Sequence, residues 1–232
     1  MKIVHSSTVE NYIKQIYLES QRSPKSWVTM KNLATKVGVS PGTATSMVKN
    51  LAKADLIDYE PRGGSKLKPA GVQLALNVLR RHRLIELFLV KILQLDWSEV
   101  HKEAELLEHA ISDKVLEKLD KFMGRPSFDP HGDPIPTTQG EIEEGRHNSL
   151  AQYKKGEKLR VARIIDQHPK FLKFAERKGL IPGAELIISD IDQEADSLTL
   201  MVNKLESNTQ SQVINPLTLS TFAATKMLVE KI

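Results

Sequence analysis

The sequence predicts a mainly α-helical protein with small β parts: an N-terminal winged helix-turn-helix, an all-α dimerisation domain and a C-terminal SH3-like β-barrel. Three observations predict this class. Apolar residues recur at helical spacing through most of the first 124 residues, and a Gly-Gly turn between two short apolar runs interrupts that pattern near residue 63. From about residue 157, short alternating apolar runs replace it.

The helix-turn-helix is predicted from the first three helical segments. Residues 8–20 carry an apolar stripe behind serine and threonine N-cap candidates. A second helix at 30–37 ends at Gly38, which supplies a turn. Ser40 and Pro41 then open a third helix, since a capping residue followed by proline is a typical helix start. Helix, tight glycine turn and helix is the helix-turn-helix pattern.

The third helix and the hairpin after it are expected to bind DNA. The helix places Ala44, Val48 and Leu51 inward, so its small and basic residues face outward. Residues 56–71 predict a basic hairpin, the wing. Hydroxyl groups suit base edges or phosphates, and cationic groups suit the phosphate backbone. The expected DNA contacts are Ser40, Pro41, Gly42, Thr43, Ser46 and Lys49 on the helix, and Arg62, Lys66 and Lys68 on the wing.

Three more helices are predicted, at 69–93, 97–110 and 113–124. The first two carry more apolar surface than a small winged helix needs to cover its core, so the surplus predicts a homodimer interface. Residues 125–136, rich in proline and glycine, exclude regular secondary structure. A histidine within them, His131, is expected at the surface or in a turn.

The last third changes to strand patterns after a polar linker. The predicted strands are 158–166, 184–192, 197–203, 211–215 and 226–232, with one helix at 169–179. Short strands at this spacing are typical of a small barrel of SH3 type.

Composition narrows the function further. Residues 22–91 carry 13 Lys and Arg against 4 Asp and Glu, and this localised basic block favours a polyanion, here double-stranded DNA. No apolar run is long enough for a spanning helix and no signal peptide is recognisable, so the cytoplasm is the expected location. With 0 cysteines, a bound metal must be held by His, carboxylate, amide, Met or backbone oxygen.

The segment HKEAELLEH is the strongest metal-binding signal. On a helix, His101, Glu105, Glu108 and His109 fall at i, i+4, i+7 and i+8, on one face. His82 and Glu86 repeat the i, i+4 geometry one helix earlier. An oxygen-rich shell with one imidazole suits Mn²⁺ or Fe²⁺, with Zn²⁺ as a substitute in vitro.

The chain resembles the diphtheria toxin repressor and manganese transport regulator family of metal-dependent regulators over nearly its whole length. The resemblance rests on TVENYIKQIY, the helix-turn-helix with a wing ending in LKPAG, RRHRLIELFL, HKEAELLEH, DPHGDPIP and GLIPGAEL. It implies a homodimeric repressor of iron or manganese uptake genes that binds a palindromic operator when a divalent cation is bound. It implies no enzymatic activity and no small-molecule substrate beyond the metal ion.

The resemblance also implies two metal sites. The primary site would comprise Asn11, Glu105, Glu108 and His109, and the ancillary site His82, Glu86 and His101, with His168 near the position of a further ligand from the third domain. At Asn11, iron-type members carry Met and manganese-type members an aspartate. Lys14 stands where manganese-type members can place an acidic ligand.

The predicted domains are a winged helix at 1–72, a helical metal-binding and dimerisation domain at 73–138, a linker at 139–156 and an SH3-like, FeoA-like domain at 157–232. Two other hypotheses stay open. One is a winged-helix regulator whose metal site is degenerate or structural, which Asn11 and Lys14 favour. The other is a carboxylate-bridged metalloprotein, which leaves the basic winged helix unexplained.

Overall fold

The computed structural model describes residues 5–22, 26–142, 145, 147–203 and 216–232. The helices in these ranges are α1 Ser7–Gln21, α2 Met30–Val37, α3 Pro41–Lys53, α4 Pro69–Lys91, α5 Val100–Leu107, α6 Asp113–Phe122, α7 Pro169–Arg177 and α8 Thr221–Ala224. The strands are β1 Ile57–Glu60, β2 Gly64–Leu67, β3 Asn148–Ser149, β4 Lys158–Ile164, β5 Glu185–Asp192, β6 Ser197–Asn203, β7 Leu217–Ser220 and β8 Met227–Lys231. The predicted fold class is confirmed.

The helix-turn-helix forms because hydroxyl side chains start its helices. Ser6, Thr29 and Ser40 each accept a hydrogen bond from a backbone N–H in the first turn of α1, α2 and α3. Gly38 follows α2 with φ 69°, in the left-handed region that glycine adopts readily. β1 and β2 pair antiparallel as the wing. These elements share an apolar core that includes Ile13, Ile16, Leu33, Val48 and Leu51.

The predicted helix at 97–110 is shorter in the structure, because a turn precedes it. The backbone N–H and the hydroxyl of Ser98 both donate to Asp96 Oδ1, at 2.8 and 2.6 Å. This side-chain turn delays the helix start to Val100. At the other end α5 stops at Leu107, so Glu108 and His109 stand in the turn that follows the helix rather than on its face.

The C-terminal region forms a six-stranded antiparallel sheet with the order β3-β8-β4-β5-β6-β7. Its core is aliphatic and includes Leu159, Ile164, Leu186, Ile188, Leu200 and Val229. The strand predicted at 211–215 lies outside the described residues. β7, at Leu217–Ser220, follows that segment and was not predicted.

The proline- and glycine-rich segment packs on β4. The backbone N–H of Ile164 donates to the carbonyl of His131 at 2.9 Å. Gly132 has φ +85°, and a Cβ there would lie 2.0 Å from the carbonyl oxygen of Ala162. Only glycine fits at this close approach of two backbones, so the segment is irregular but closely packed.

The chain packs as two compact units. The first unit comprises residues 1–82, 105–118 and 136–142, and the second comprises 83–104, 119–135 and 143–232. The first unit contains the winged helix and the second contains the SH3-like sheet.

None of the helices in the described ranges combines the length and the apolar character needed to span a bilayer.

Candidate metal centre and nucleic-acid interface

The outer face of α3 carries the predicted DNA contacts. Ala44, Val48 and Leu51 are buried, whereas Gly42, Thr43, Ser46 and Lys49 are exposed. Ser40 Oγ caps α3 by accepting from the N–H of Thr43 at 3.2 Å. Ser46 Oγ donates to the carbonyl of Gly42 at 3.1 Å. The helix therefore presents small polar side chains and a lysine to solvent.

The predicted wing residues differ in their surroundings. Arg62 is exposed in the turn between the strands, and Lys66 is exposed on β2. Lys68 follows β2 at the base of the hairpin, where its Nζ donates to Asp55 Oδ1 at 2.5 Å and lies 3.6 Å from Asp58 Oδ1. Two carboxylates thus already neutralise Lys68, while Arg62 and Lys66 lie nearer the tip.

Within the first unit, α1 brings Asn11 to the segment after α5. Asn11 Oδ1 lies 2.9 Å from His109 Nε2. The other ring nitrogen of His109, Nδ1, lies 2.6 Å from Glu10 Oε2. Arg81 on α4 in turn pairs with Glu10 at 3.3 Å. A carboxylate on the far nitrogen is the usual way in which a metal-ligating imidazole is oriented, so Glu10 and Arg81 position His109.

Glu108 is fully buried beside this pair, and both its carboxylate oxygens have partners. Lys14 Nζ donates to Oε1 at 2.5 Å, and His82 Nδ1 lies 2.6 Å from Oε2. Burial raises the pKa of Glu108, but the hydrogen bonds and charges of His82 and Lys14 outweigh it, so the pKa is below its ordinary value. Glu108 is therefore a buried carboxylate held between two nitrogen groups.

Glu105 is partly exposed, unlike the buried Glu108. Its Oε1 lies 3.9 Å from Lys14 Nζ. Among the described residues, Glu105, Glu108 and His109 do not place one ligand atom each within 4.8 Å of one another. The predicted primary residues are neighbours, but the Lys14 ammonium lies between the two glutamates.

The predicted ancillary residues are divided between the two units. In the second unit, His101 Nδ1 lies 3.2 Å from Glu86 Oε1. His82 belongs to the first unit, where its ring contacts Glu108 as described above. The three-residue ancillary set therefore stays a prediction.

The second unit adds two residues that the sequence analysis did not place in a site, Asp129 and His131. Together with Glu86 they form a fully buried group whose ligand atoms lie within 4.8 Å of one another. His131 lies in a turn, as one of the two expectations has it, but it is not at the surface, since its side chain is 1% exposed. The spacing of Asp129 and His131 in DPHGDP is the one sequence signal that could have found them.

His131 is arranged as a metal ligand would be. Its Nε2 lies 2.9 Å from the carbonyl oxygen of Trp97, which fixes that nitrogen as the donor, and the Trp97 ring stacks on the imidazole at 5.4 Å. Nδ1 is buried without a hydrogen-bond partner in the described part of the chain, and it lies 3.8 Å from Glu86 Oε2. A buried lone pair beside two carboxylates fits a divalent cation.

Arginines border the buried group. Arg83 lies 4.0 Å from Asp129 and 3.6 Å from Asp133, and it donates to the carbonyl of Pro134 at 2.5 Å. Arg163 pairs with Asp133 from β4. Burial, followed by the nearby carboxylates of Asp133 and Glu86, holds the pKa of Asp129 well above its ordinary value against the opposing charge of Arg83.

His168 has a local structural role. It caps α7, with Nδ1 accepting from the N–H of Lys170 at 3.3 Å, and its side chain is exposed. The structure places it in neither group of candidate ligands in the described residues.

The donor set of both sites suits a divalent cation of the Mn²⁺ or Fe²⁺ type. Carboxylate, amide and imidazole groups are available, and each imidazole has a polar partner on its other nitrogen. The buried group of Glu86, Asp129 and His131 fits as it stands, whereas at the primary site Lys14 holds one oxygen of Glu108.

Three protein-family models match consecutive parts of the chain. "Iron dependent repressor, N-terminal DNA binding domain" matches residues 5–65, and "Iron dependent repressor, metal binding and dimerisation domain" matches 68–137. "FeoA domain" matches 148–208.

Individual proteins match as well. An uncharacterised helix-turn-helix-type transcriptional regulator of Methanocaldococcus jannaschii is 36% identical over 118 residues, 51% of this chain and 94% of that protein. The diphtheria toxin repressor of Corynebacterium jeikeium is 33% identical over 60% of this chain, and the match spans about half of its length, 56%. A solved "manganese-dependent transcriptional repressor complex with manganese" is 32% identical with a TM-score of 0.82, covering 97% of this chain and 100% of that one.

Proposed function

Because the chain belongs to the iron-dependent repressor family, which includes the diphtheria toxin repressor, we propose that it is a homodimeric repressor that Mn²⁺ or Fe²⁺ activates to bind a palindromic operator. The family consists of metal-dependent transcriptional regulators, not enzymes, so the alternative of a carboxylate-bridged metalloenzyme is set aside. The genes controlled would be those of iron or manganese uptake, and the protein would act in the cytoplasm.

The observation that carries the proposal is the meeting of α1 with the segment after α5. Asn11 and His109 lie 98 positions apart in the sequence, yet their side chains lie 2.9 Å apart with Glu108 buried beside them. α1 belongs to the core of the winged helix, so groups that fix α1 also fix the position of the helix-turn-helix. A metal ion held by these residues would therefore be able to control the position of the DNA-binding elements.

A bound divalent ion would supply positive charge and directed coordination to these residues. Asn11, Glu105, Glu108 and His109 would hold it at the primary site. Glu86, Asp129 and His131 would hold a second ion in the second unit. The ancillary set of His82, Glu86 and His101 stays a prediction from the sequence. Glu10 and the Trp97 carbonyl keep the imidazoles of His109 and His131 in the orientation that each site needs.

Dimerisation matters because half-sites on one duplex face are separated by about 34 Å or its multiples. Two winged helices fixed at that spacing can bind both half-sites of the DNA at once, whereas two mobile winged helices bind the DNA weakly. The surface supports a dimer, since Leu106 and Leu107 on α5 and Val115 on α6 are exposed apolar residues within the region that matches the dimerisation domain.

Metal removal is the direct test. Fluorescence anisotropy with a labelled promoter duplex, titrated with Mn²⁺, Fe²⁺ or Zn²⁺, should show tight binding that a chelator reverses. Couplings of this kind are typically about 1–3 kcal/mol, which corresponds to a roughly 5- to 150-fold change in operator affinity. Binding of equal strength in chelator would contradict metal activation.

The second candidate, a regulator with a degenerate primary site, is favoured by one observation. The ammonium of Lys14 on α1 contacts an oxygen of Glu108. This ammonium could link α1 to Glu108 in the way that a metal ion would, so the regulator would not need the metal. Chelator-insensitive operator binding would select this candidate.

Lys49 tests the DNA-binding surface. Lys49→Ala on α3 is expected to weaken binding to every DNA sequence and to reduce the slope of log affinity against log salt by about one, because the variant neutralises one phosphate fewer. Anisotropy at several salt concentrations measures this. Lys118→Ala, which removes the same charge from the exposed face of α6, should leave the slope unchanged. An unchanged slope for Lys49→Ala would place the DNA elsewhere.

A further inference from the structure

Lys14 is a buried ammonium group inside the predicted primary metal site. Its side chain is 3% exposed, and its Nζ contacts Glu108 at 2.5 Å and Glu105 at 3.9 Å. Glu108 itself has no exposed surface. A lysine amine removed from water to this extent is costly unless a carboxylate neutralises it, and here that carboxylate is one of the expected metal ligands.

The contacts of Lys14 link the same elements as the predicted metal ligands. Lys14 and Asn11 lie one turn apart on α1, and Glu108 and His109 are adjacent in the turn after α5. The ammonium donates to Glu108 Oε1, and His109 Nε2 lies 3.3 Å from that same oxygen. An ion reaching Asn11, His109 and Glu108 would need the oxygen that Lys14 holds.

We propose that Lys14 is a competing cation, which a divalent metal must displace from Glu108 before it can occupy the primary site. This inference rests on the proposed function and concerns its regulation, because Lys14 would set the metal concentration that is needed for operator binding. The ammonium keeps the buried carboxylate neutralised in metal-free protein, so the site persists without metal but has a reduced affinity for it.

Electrostatics determines the direction of the expected effect. With a neutral side chain at position 14, Glu108 and Glu105 keep their negative charges and lose their common counter-cation. Glu108 would keep its contact with His82 but lose the ammonium that neutralises it. A divalent ion would supply the missing positive charge and would reduce the repulsion between the two carboxylates. A residue that only stabilised the fold would act in the opposite direction, because its loss would loosen the site.

The test is Mn²⁺ binding by calorimetry to the full chain, without DNA. Glu108→Gln removes a predicted ligand of the primary site. The class of Mn²⁺ sites that is missing from the titration of this variant is therefore the primary class. Lys14→Met is expected to lower the Mn²⁺ dissociation constant of that class at least tenfold, and Lys14→Arg, which keeps the charge, should leave it within about threefold of wild type. Lys31→Met, which removes an exposed charge from α2, is the matched control and should change nothing.

The Mn²⁺ concentration for half-maximal operator binding should fall by a similar factor in Lys14→Met. Circular dichroism with and without Mn²⁺ is recorded alongside, because a buried carboxylate without its cation could unfold the metal-free variant. Refolding on addition of Mn²⁺ would support the exchange of ammonium for metal.

Unchanged or weaker Mn²⁺ binding by Lys14→Met, or a variant that stays unfolded in saturating Mn²⁺, would overturn the inference. Failure of the proposed function gives a different result. In that case Glu108→Gln would bind Mn²⁺ as wild type does, or operator binding would ignore metal, whatever residue stands at position 14.

Discussion

Replacing Glu108 with alanine is expected to abolish metal-dependent operator binding and to lower the free energy of unfolding by about 3–5 kcal/mol. Both effects have one cause, the loss of a buried carboxylate that two nitrogen groups share. The ammonium of Lys14 and the ring of His82 would stay buried but lose their contact with this carboxylate. Anisotropy with and without Mn²⁺ measures the first effect, and urea denaturation of the metal-free protein measures the second.

Two further variants separate these effects. Glu108→Gln keeps the shape and a hydrogen-bonding oxygen, so it should lose the metal response with a smaller loss of stability. Glu103→Ala removes an exposed carboxylate from α5, the helix that precedes Glu108, and should behave as wild type in both assays. If Glu108→Ala kept a normal response to Mn²⁺, the primary site would have to lie elsewhere.

Local patterns were enough to predict which face of α3 is buried and which is exposed. The inward positions of α3 follow from helical periodicity, since Ala44, Val48 and Leu51 fall on one face and all three are buried. The caps at Thr29 and Ser40 were predicted on the same grounds, because capping depends on residues within one turn. Which of the exposed residues contact DNA stays a prediction.

The surroundings of the candidate metal ligands were harder to predict because they depend on contacts between distant segments. HKEAELLEH predicted one continuous helical face, but α5 ends at Leu107, and His101 contacts Glu86 while Glu108 contacts Lys14. Periodicity assumes that a helix continues, and it does not show which neighbouring element each side chain meets. The burial of the Lys14 ammonium could not be foreseen for the same reason.

The burial of His131 was not predicted because the segment around it has no periodicity. Proline and glycine correctly excluded regular structure there, and irregular segments are usually exposed. This one is held by the close approach of Gly132 to β4 and by the turn in which Asp129 accepts from the N–H groups of His131 and Asp133. An irregular segment can be buried when its polar groups form hydrogen bonds within the segment, and several polar groups of DPHGDP do so.

Arg83 provides the second large expected effect, in the second unit. Arg83→Met is expected to lower the free energy of unfolding by about 3 kcal/mol, because it removes the cation beside the buried carboxylate of Asp129. The side chains of Asp129 and Asp133 are 1% and 6% exposed, and Asp133 keeps Arg163 as a second partner. Asp129 would keep the hydrogen bonds from the N–H groups of His131 and Asp133 and would face the carboxylates of Asp133 and Glu86. Urea denaturation of the metal-free protein measures the loss.

Arg177→Met is the matched control, since it removes the same charge from the exposed surface of α7 in the same unit and should change stability by about 0.5 kcal/mol or less. Mn²⁺ should stabilise Arg83→Met more than wild type, because a divalent ion held by Glu86, Asp129 and His131 replaces the missing positive charge. A loss below about 1 kcal/mol would show that Arg83 does not neutralise this buried group. An equal effect of Mn²⁺ on the stability of both proteins would show that the group does not bind metal.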